Sequence, residues 1–307
     1  MMNLPTIKQL RYFVALVENE HFGKAAESCF VSQSAFSVAI KELETQLGAQ
    51  LVDRTNKNVT ITRVGREVAN HARHCLRDIE YLTEVARSNQ ECLSGRLNMG
   101  VIPTIAPFIL PSLMPRLRES FPDLQLYLRE DTTQAIYTRL MAGELDVILL
   151  ALPYKLSNIE TYALFKDQFL LACHKSTHFL DPKHYDFDTL PDESVLLLED
   201  GHCLRDHALS ACNLRNQETV SRFAASSLYT LVEMVDSDIG ITYLTDMAKD
   251  SMLLKHTDIK TYPMGENSYR EVGLAWRKGS ARSEEFKMLG DVITKTHREL
   301  IKSRDKL

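Results

Sequence analysis

Residues 199–212 read Glu-Asp-Gly-His-Cys-Leu-Arg-Asp-His-Ala-Leu-Ser-Ala-Cys. Two thiols, Cys203 and Cys212, bracket this stretch, and His202 and Arg205 stand beside the first. Arg205 offers positive charge, His202 a proton or hydrogen bond, and a helix expected to start near Cys203 adds the positive end of its dipole. Such surroundings lower a thiol pKa from about 8.5 into a range of roughly 3.5–7.5. The thiolate is the form that attacks a peroxide, and a second thiol then condenses with the resulting sulfenic acid. If 203–212 is one helix, its two thiol-bearing Cα atoms lie about 13.5 Å apart. A disulfide tolerates only about 4.4–6.8 Å. Bond formation therefore requires the segment to refold, which makes oxidation a conformational switch. Moving a two-state regulator from 1:99 to 99:1 takes about 5.5 kcal/mol. A potential difference on the order of 120 mV supplies that for a two-electron couple.

Other readings of the same residues stay open. The two cysteines are inert core residues if the protein responds to a small metabolite instead. His202, Cys203, His207 and Cys212 offer four zinc-type ligands, but their spacing is not that of a known zinc knuckle and a helix would fan them apart. An enzyme that turns over peroxide is a third reading, which the organisation of the rest of the chain disfavours. The remaining thiols, Cys29, Cys75, Cys92 and Cys173, form no CxxC and read as small hydrophobes. No cofactor is implied.

The elements that must position this chemistry are legible around it. The chain of 307 residues is 44% hydrophobic and 25% charged, the balance of a globular protein with two or three domains. No apolar run nears the roughly 20 residues that span a bilayer. Met1 to Arg11 reads as helix and not as a signal peptide, so the expectation is a cytoplasmic protein. A net charge of −5 gives no support to a nucleic-acid partner, which must be argued from organisation.

Leu10, Phe13, Val14 and Val17 predict a first helix, and Gly23–Cys29 a short second one. Ser32 stands as the N-cap of a helix from Gln33 to Leu47, with Phe36, Ile40, Leu43 and Leu47 on one face and Gly48 as its stop. This is a helix-turn-helix, whose second member enters the DNA major groove. Leu51–Thr55 and Val59–Thr62 flank the turn Asn56-Lys57-Asn58 and form a hairpin wing. Gln33, Ser34, Ser37 and Lys41 are available to read bases, although polar residues on a helix equally make a solvated face. Arg54 and Lys57 would meet phosphates. From Arg63 to about Cys92 a long helix carries Val68, Ala72, Cys75, Ile79, Leu82 and Ala86 in steps of four and three, a seam that asks for a partner helix.

After Ser94-Gly95, strands and helices alternate: strands at Arg96–Ile102, Leu124–Glu130, Leu145–Leu152, Val195–Leu198, Ile239–Leu244 and Tyr269–Trp276. Helices are expected near Ile109–Phe121, Gln134–Ala142, Leu228–Val235 and Ser283–Ile301. The pattern predicts a mainly parallel α/β sheet. Thr104 and Thr133 fall near carboxyl ends of strands, where ligands sit; helix capping is the other role for both.

The runs Leu10-Arg11-Tyr12-Phe13, Phe22-Gly23-Lys24-Ala25-Ala26, Val31-Ser32-Gln33-Ser34-Ala35-Phe36-Ser37, Ile40-Lys41-Glu42-Leu43-Glu44 and Leu47-Gly48 resemble the LysR family signature. Leu51–Arg54 and Thr62–Gly65 continue the likeness. It implies a winged helix-turn-helix at 1–62, a dimerising linker helix at 63–92 and an effector domain at 93–307. That domain would resemble periplasmic binding proteins, with one lobe of 93–165 and 268–307 and a second of 166–267. Val38-Ala39 departs from the polar or basic residues common there, and residues 1–62 hold six basic and six acidic side chains. Phosphate attraction should be modest and dimer avidity important.

Leu198 to Asp206, with Cys212, further resembles the hydrogen-peroxide-sensing OxyR branch of the family. The resemblance implies that Cys203 is the peroxidatic cysteine, Cys212 the resolving one, and that His202 and Asp206 stabilise the reduced site. Thr104, Thr133 and Arg270 would bind peroxide. His207, Ser210 and Thr245 depart from or vary within that pattern. The implied protein is not an enzyme but a transcription regulator, a homodimer or homotetramer on promoter DNA. Its other partners would be RNA polymerase and a thiol reductant.

Overall fold

The computed structural model describes residues 4–54, 59–87, 93–154, 157–181, 190–211 and 217–304. Cys92, Lys57, Cys212 and the far end of the linker lie outside the described residues. The chain divides into two compact units: Met1–Glu91 with Met141–Glu144, and the remainder.

In the first unit, α1 (Ile7–Asn19), α2 (Phe22–Ser28) and α3 (Gln33–Leu47) are each started by a side-chain cap. Thr6 and Gln9 form a reciprocal capping box, so the first helix begins at Ile7 and not at the N-terminus. Its buried face is Gln9, Tyr12, Phe13 and Leu16; the expected Val14 and Val17 are only half-buried. His21 caps α2 through its ring, with Nδ1 accepting from Gly23 N and Lys24 N. Ser32 caps α3 by accepting from Ala35 N, and Gly48 closes it in the left-handed region at φ +63°.

Phe36 anchors the core, stacked on Tyr12 at 5.0 Å and edge-on to Phe22 at 6.1 Å. Ile40, Leu43, Leu51, Val52 and Ile61 complete it. Strands β1 (Val52–Arg54) and β2 (Val59–Ile61) pair antiparallel as the wing. The long helix α4 (Arg63–Arg87) starts from Thr62, whose hydroxyl donates to Gln50 O and accepts from Gly65 N, both at 2.9 Å. A Cβ at Gly65 would lie 2.2 Å from the Leu51 carbonyl oxygen, so only glycine lets the helix approach the wing. Along the expected seam Ala72 is buried and Val68 packs on the core, whereas Cys75 and Leu82 are exposed within the chain.

The second unit is ordered β3 (Gly95–Val101), α5 (Ala106–Ser120), β4 (Leu124–Glu130), α6 (Thr133–Met141), β5 (Val147–Leu152) and β6 (Ile159–His174). Then follow β7 (Val195–Leu198), α7 (Cys203–Ala211), β8 (Val220–Ala225), α8 (Leu228–Asp236), β9 (Thr242–Thr245) and α9 (Asp246–Lys249). It ends with β10 (Ile259–Pro263), β11 (Tyr269–Arg277) and α10 (Ser283–Arg304). Seven strands form one sheet in the order β10-β6-β11-β5-β3-β4, with β9 also on β6. β7 and β8 pair separately in parallel.

The sheet is mixed and not mainly parallel. β3 is parallel to β4 and β5, but β11 runs antiparallel to both β5 and β6, and β6 antiparallel to β9 and β10. All six residues of β5 are buried, a pattern that a strand covered on both faces shows whatever its neighbours' direction. β6, β8 and β10 have no counterpart in the sequence reading.

Two hydrophobic clusters form. One gathers β3, β5, α5, β11 and α10, with Cys203 and Met247 among its buried members. The other gathers β7, α8, β9 and the second half of β6, with Leu204 and Ala208. The 16-residue β6 belongs to both: Phe165 packs against the first and Phe169 lies in the second.

Candidate functional site

Asp167 lies between those two phenylalanines, opposite Arg270 of β11 in the strand register. Both side chains are buried, at 2% and 1% exposure. A buried guanidinium survives only with its donors occupied, and here they are. Arg270 Nε donates to Asp167 Oδ2 at 2.9 Å, Nη1 to Thr104 Oγ1 and Nη2 to the Thr104 carbonyl, each at 2.8 Å. Nη2 also reaches Thr245 Oγ1 at 3.4 Å. The second Asp167 oxygen accepts from Met247 N at 3.1 Å. Arg270 is thus fixed at the meeting point of β6, β9, β11 and the turn after β3, and is not the surface charge that an arginine in a strand can be.

Thr104 serves Arg270 and caps nothing: α5 starts without a side-chain cap. Thr133, the first residue of α6, is 1% exposed and its hydroxyl has no hydrogen-bond partner among the described residues. It faces the Cys203 sulfur closely enough to favour the thiolate, without reaching the geometry of a formed hydrogen bond.

Cys203 opens α7 just after Gly201, which turns the chain at φ +99°. The thiol is buried, and burial pushes its pKa up. Arg270, the Thr133 hydroxyl and the Ala151 backbone pull the other way but do not prevail, and Asp206 adds a small push upward. The expected lowered thiol is therefore corrected. Desolvation of the thiolate outweighs Arg270 and the Thr133 and Ala151 groups, which favours the neutral thiol at rest.

The positive charge is also not where the sequence pointed. Arg205 turns away to donate to Leu198 O at 3.2 Å and to pair with Asp200 at 3.1 Å; Arg270 supplies the field at the sulfur. His202 is buried beside Cys203, whereas Asp206 is exposed and its charge disfavours the thiolate.

Sequence reasoning missed Asp167 and Tyr154, and named Thr245 and His207 without finding their contacts with Arg270 and Pro153. The first carried little signal: Lys166 and Gln168 flank Asp167, and the strand that buries it is not evident from the sequence. His207 Nε2 lies 3.0 Å from the Pro153 carbonyl oxygen. Burial, and after it the neighbouring Cys203 and Asp206, raise the pKa of the Tyr154 phenol.

On the helix-turn-helix, Gln33, Ser34 and Lys41 are exposed and Ser37 is half-buried, with Val38 exposed between them. Arg54 ends β1.

Two family models match: "Bacterial regulatory helix-turn-helix protein, lysR family" over residues 7–66, and "LysR substrate binding domain" over residues 90–298. The chain belongs to the LysR family of regulators. It is 40% identical over 294 residues to the HTH-type transcriptional regulator EstR of Acinetobacter baylyi, covering 95% of this chain and 97% of that one. It is 36% identical over 287 residues to the DNA-binding transcriptional dual regulator OxyR of Escherichia coli, covering 94% of each. A full-length OxyR from Pseudomonas aeruginosa matches in structure with TM-score 0.76 and 34% identity, over 95% of this chain and 98% of that one. This LysR-family regulator and its solved relative therefore share both the helix-turn-helix and the mixed α/β unit.

Proposed function

We propose that this regulator senses hydrogen peroxide through Cys203 and answers by a reversible Cys203–Cys212 disulfide that switches oxidative-stress genes. The observation that carries the reading is a buried thiol near an arginine immobilised by Asp167 and Thr104, with the Thr133 hydroxyl beside the sulfur. Thr104 already accepts from Arg270, so its own hydrogen remains to be donated. Thr133 is buried with no hydrogen-bond partner for its hydroxyl among the described residues, a capacity that a small polar ligand would use. Hydrogen peroxide offers two donors and two acceptors at that size. The OxyR relatives are consistent with it.

Two steps follow. Cys203 and one peroxide give a sulfenic acid and water; Cys212 then displaces a second water to form the disulfide. A thiol kept neutral at rest reacts little with bulk oxidants, so selectivity comes from the bound oxidant. His202 and Asp206 are assigned to the reduced site, and a cellular thiol reductant resets the switch.

The division into 1–62, 63–92 and 93–307, with the lobes 93–165 plus 268–307 and 166–267, places sensing and reading in separate parts. Gln33, Ser34, Ser37 and Lys41 read bases, while Arg54 and Lys57 hold phosphates of double-stranded promoter DNA. The exposed Cys75 and Leu82 on α4 support pairing with a second copy. Half-sites then lie about 34–36 Å or a multiple apart, with a homotetramer presenting its helices to RNA polymerase-recruiting promoters.

The higher identity to EstR, whose name specifies no peroxide, favours one rival: a small metabolite bound in a cleft between the two expected lobes, with non-redox cysteines. Intact-mass analysis with thiol trapping after one equivalent of peroxide decides between them. Loss of two hydrogens, mapped to a Cys203–Cys212 peptide and absent in Cys203→Ser, is expected. Thiols that remain trappable sink the redox reading and leave the metabolite one.

A further inference from the structure

His207 lies one helical turn beyond Cys203 on α7, so the two side chains share a face of that helix. Its Nε2 meets the Pro153 carbonyl oxygen at 3.0 Å. A carbonyl oxygen only accepts, so Nε2 carries the hydrogen and Nδ1 of the neutral ring presents a bare lone pair. That Nδ1 is buried and has no partner among the described residues. A buried acceptor left unsatisfied asks for a reason.

The thiol one turn back on the same helix face supplies one once a bound oxidant bridges the two. Cys203 rests protonated, so its reaction as a thiolate needs a base at the moment of encounter. Arg270 cannot accept a proton. Both oxygens of Asp167 are engaged, by Arg270 and by Met247 N. Asp206 faces solvent, and the Tyr154 phenol is pushed upward, away from ionisation. His202, buried beside the thiol, is the rival base; a loss of oxidation rate and of its acid-side decline in His202→Gln but not in His207→Gln overturns the assignment to His207.

We propose that His207 holds the proton of the Cys203 thiol during oxidation and returns it to the departing oxygen. The proposal rests on the peroxide reading above for its oxidant. Cys203 Sγ attacks one peroxide oxygen as its proton passes to Nδ1; the S–O bond forms and the O–O bond breaks. Sulfur is oxidised to the sulfenic acid, the peroxide is reduced, and its second oxygen leaves as water with the proton from Nδ1. One thiol and one peroxide become one sulfenic acid and one water, and the imidazole ends as it began.

The ring is suited to this at neutral pH. Burial first, and then the Arg270 charge, lower its pKa, against the Pro153 carbonyl and Asp206, which raise it. It is therefore neutral and able to accept until the solution is more acid than the ordinary histidine range. Oxidation should hold its rate at neutral pH and fall as pH drops through this lowered value.

The test compares wild type, His207→Gln and His207→Ala across that pH range. Rates of Cys203 loss are followed with hydrogen peroxide and, separately, with iodoacetamide, which reports thiolate formation without an oxidant. Gln keeps a donor for the Pro153 carbonyl but removes the base. It should slow oxidation roughly 100-fold at neutral pH and abolish the acid-side decline. Ala should regain part of the rate when free imidazole is added. Equal rates and profiles in His207→Gln and wild type, with both reagents, overturn the proposal. A wild type inert to peroxide whose alkylation still shows the His207-dependent limb overturns the peroxide reading and leaves the proton-holding role standing.

Discussion

The helix-turn-helix and the Cys203 site handle polar groups in opposite ways. In the first, each cap is closed by a neighbour: Thr6 with Gln9, His21 with Gly23, Ser32 with Ala35. Every such bond spans three positions or fewer, and the apolar face below needs only helical spacing. Around Cys203 the bonds span the chain. Arg270 meets Asp167 across 103 positions and Thr104 across 166, and the Thr133 hydroxyl and His207 Nδ1 have no partner among the described residues. Local closure gives a rigid reading head. Long-range closure with spare capacity gives a site that is stable only as a whole, yet ready to bind something small.

The sharpest way to break this contrast is Arg270→Met. It strands Asp167 without its cation, and the loss should be about 3–5 kcal/mol in chemical denaturation. Adding Asp167→Leu should recover most of the stability but none of the peroxide response. If the single substitution is mild, the arginine network does not hold the site together.

Thr133→Val should move stability and function in opposite directions. Replacing a buried, unbonded hydroxyl by a methyl group should leave stability unchanged or raise it by about 1 kcal/mol. Peroxide-driven disulfide formation, followed by trapping, should slow at least tenfold. A destabilised variant would mean that the hydroxyl is bonded after all.

In the reading head, Ser32→Ala removes one local cap and should cost about 1 kcal/mol. Thermal melting would register this without any change in thiol reactivity. A cap whose loss altered Cys203 oxidation would erase the distinction between the two regions.

The smallest effects are those of pH on stability. The folded His207 binds its proton less readily than the unfolded chain does. Stability is thus full above the ordinary histidine range and declines as pH falls through it towards the lowered folded value. Cys203 has the opposite sign: its raised pKa keeps a proton that the unfolded chain releases, so stability falls as pH rises past the ordinary thiol range. His207→Gln should flatten the acid side of a stability profile and Cys203→Ser the alkaline side.

The same contrast explains what could be read in advance. Ser32 and Gly48 bound α3 at Gln33–Leu47 as their types demand, and β4 and β7 fall at their expected residues. Those features are written in consecutive residues. Strand direction is not, because a run such as Val147–Leu152 is equally apolar beside parallel or antiparallel neighbours. β6 escaped notice because its first half mixes exposed and half-buried positions and only its second half is buried.

The thiol's protonation was misjudged for a related reason. Nearby charges were visible in the sequence around Cys203, but burial was not, and burial dominates. Thr104 and Thr133 were placed by their position near strand ends, and Arg270 entered through family resemblance. Nothing in their own surroundings announced that they would meet, and Asp167, which joins Arg270 across the strands, was not named at all.

Gly65 has a consequence for engineering. With α4 packed on the Leu51 carbonyl and pinned through Thr62, the rotational phase of the linker is set at its first turn. One inserted residue beyond that turn rotates everything downstream by about 100°, while seven preserve the face presented to a partner helix. A chimeric regulator that grafts this reading head onto another sensor should therefore be spliced after Gly65, in whole heptads.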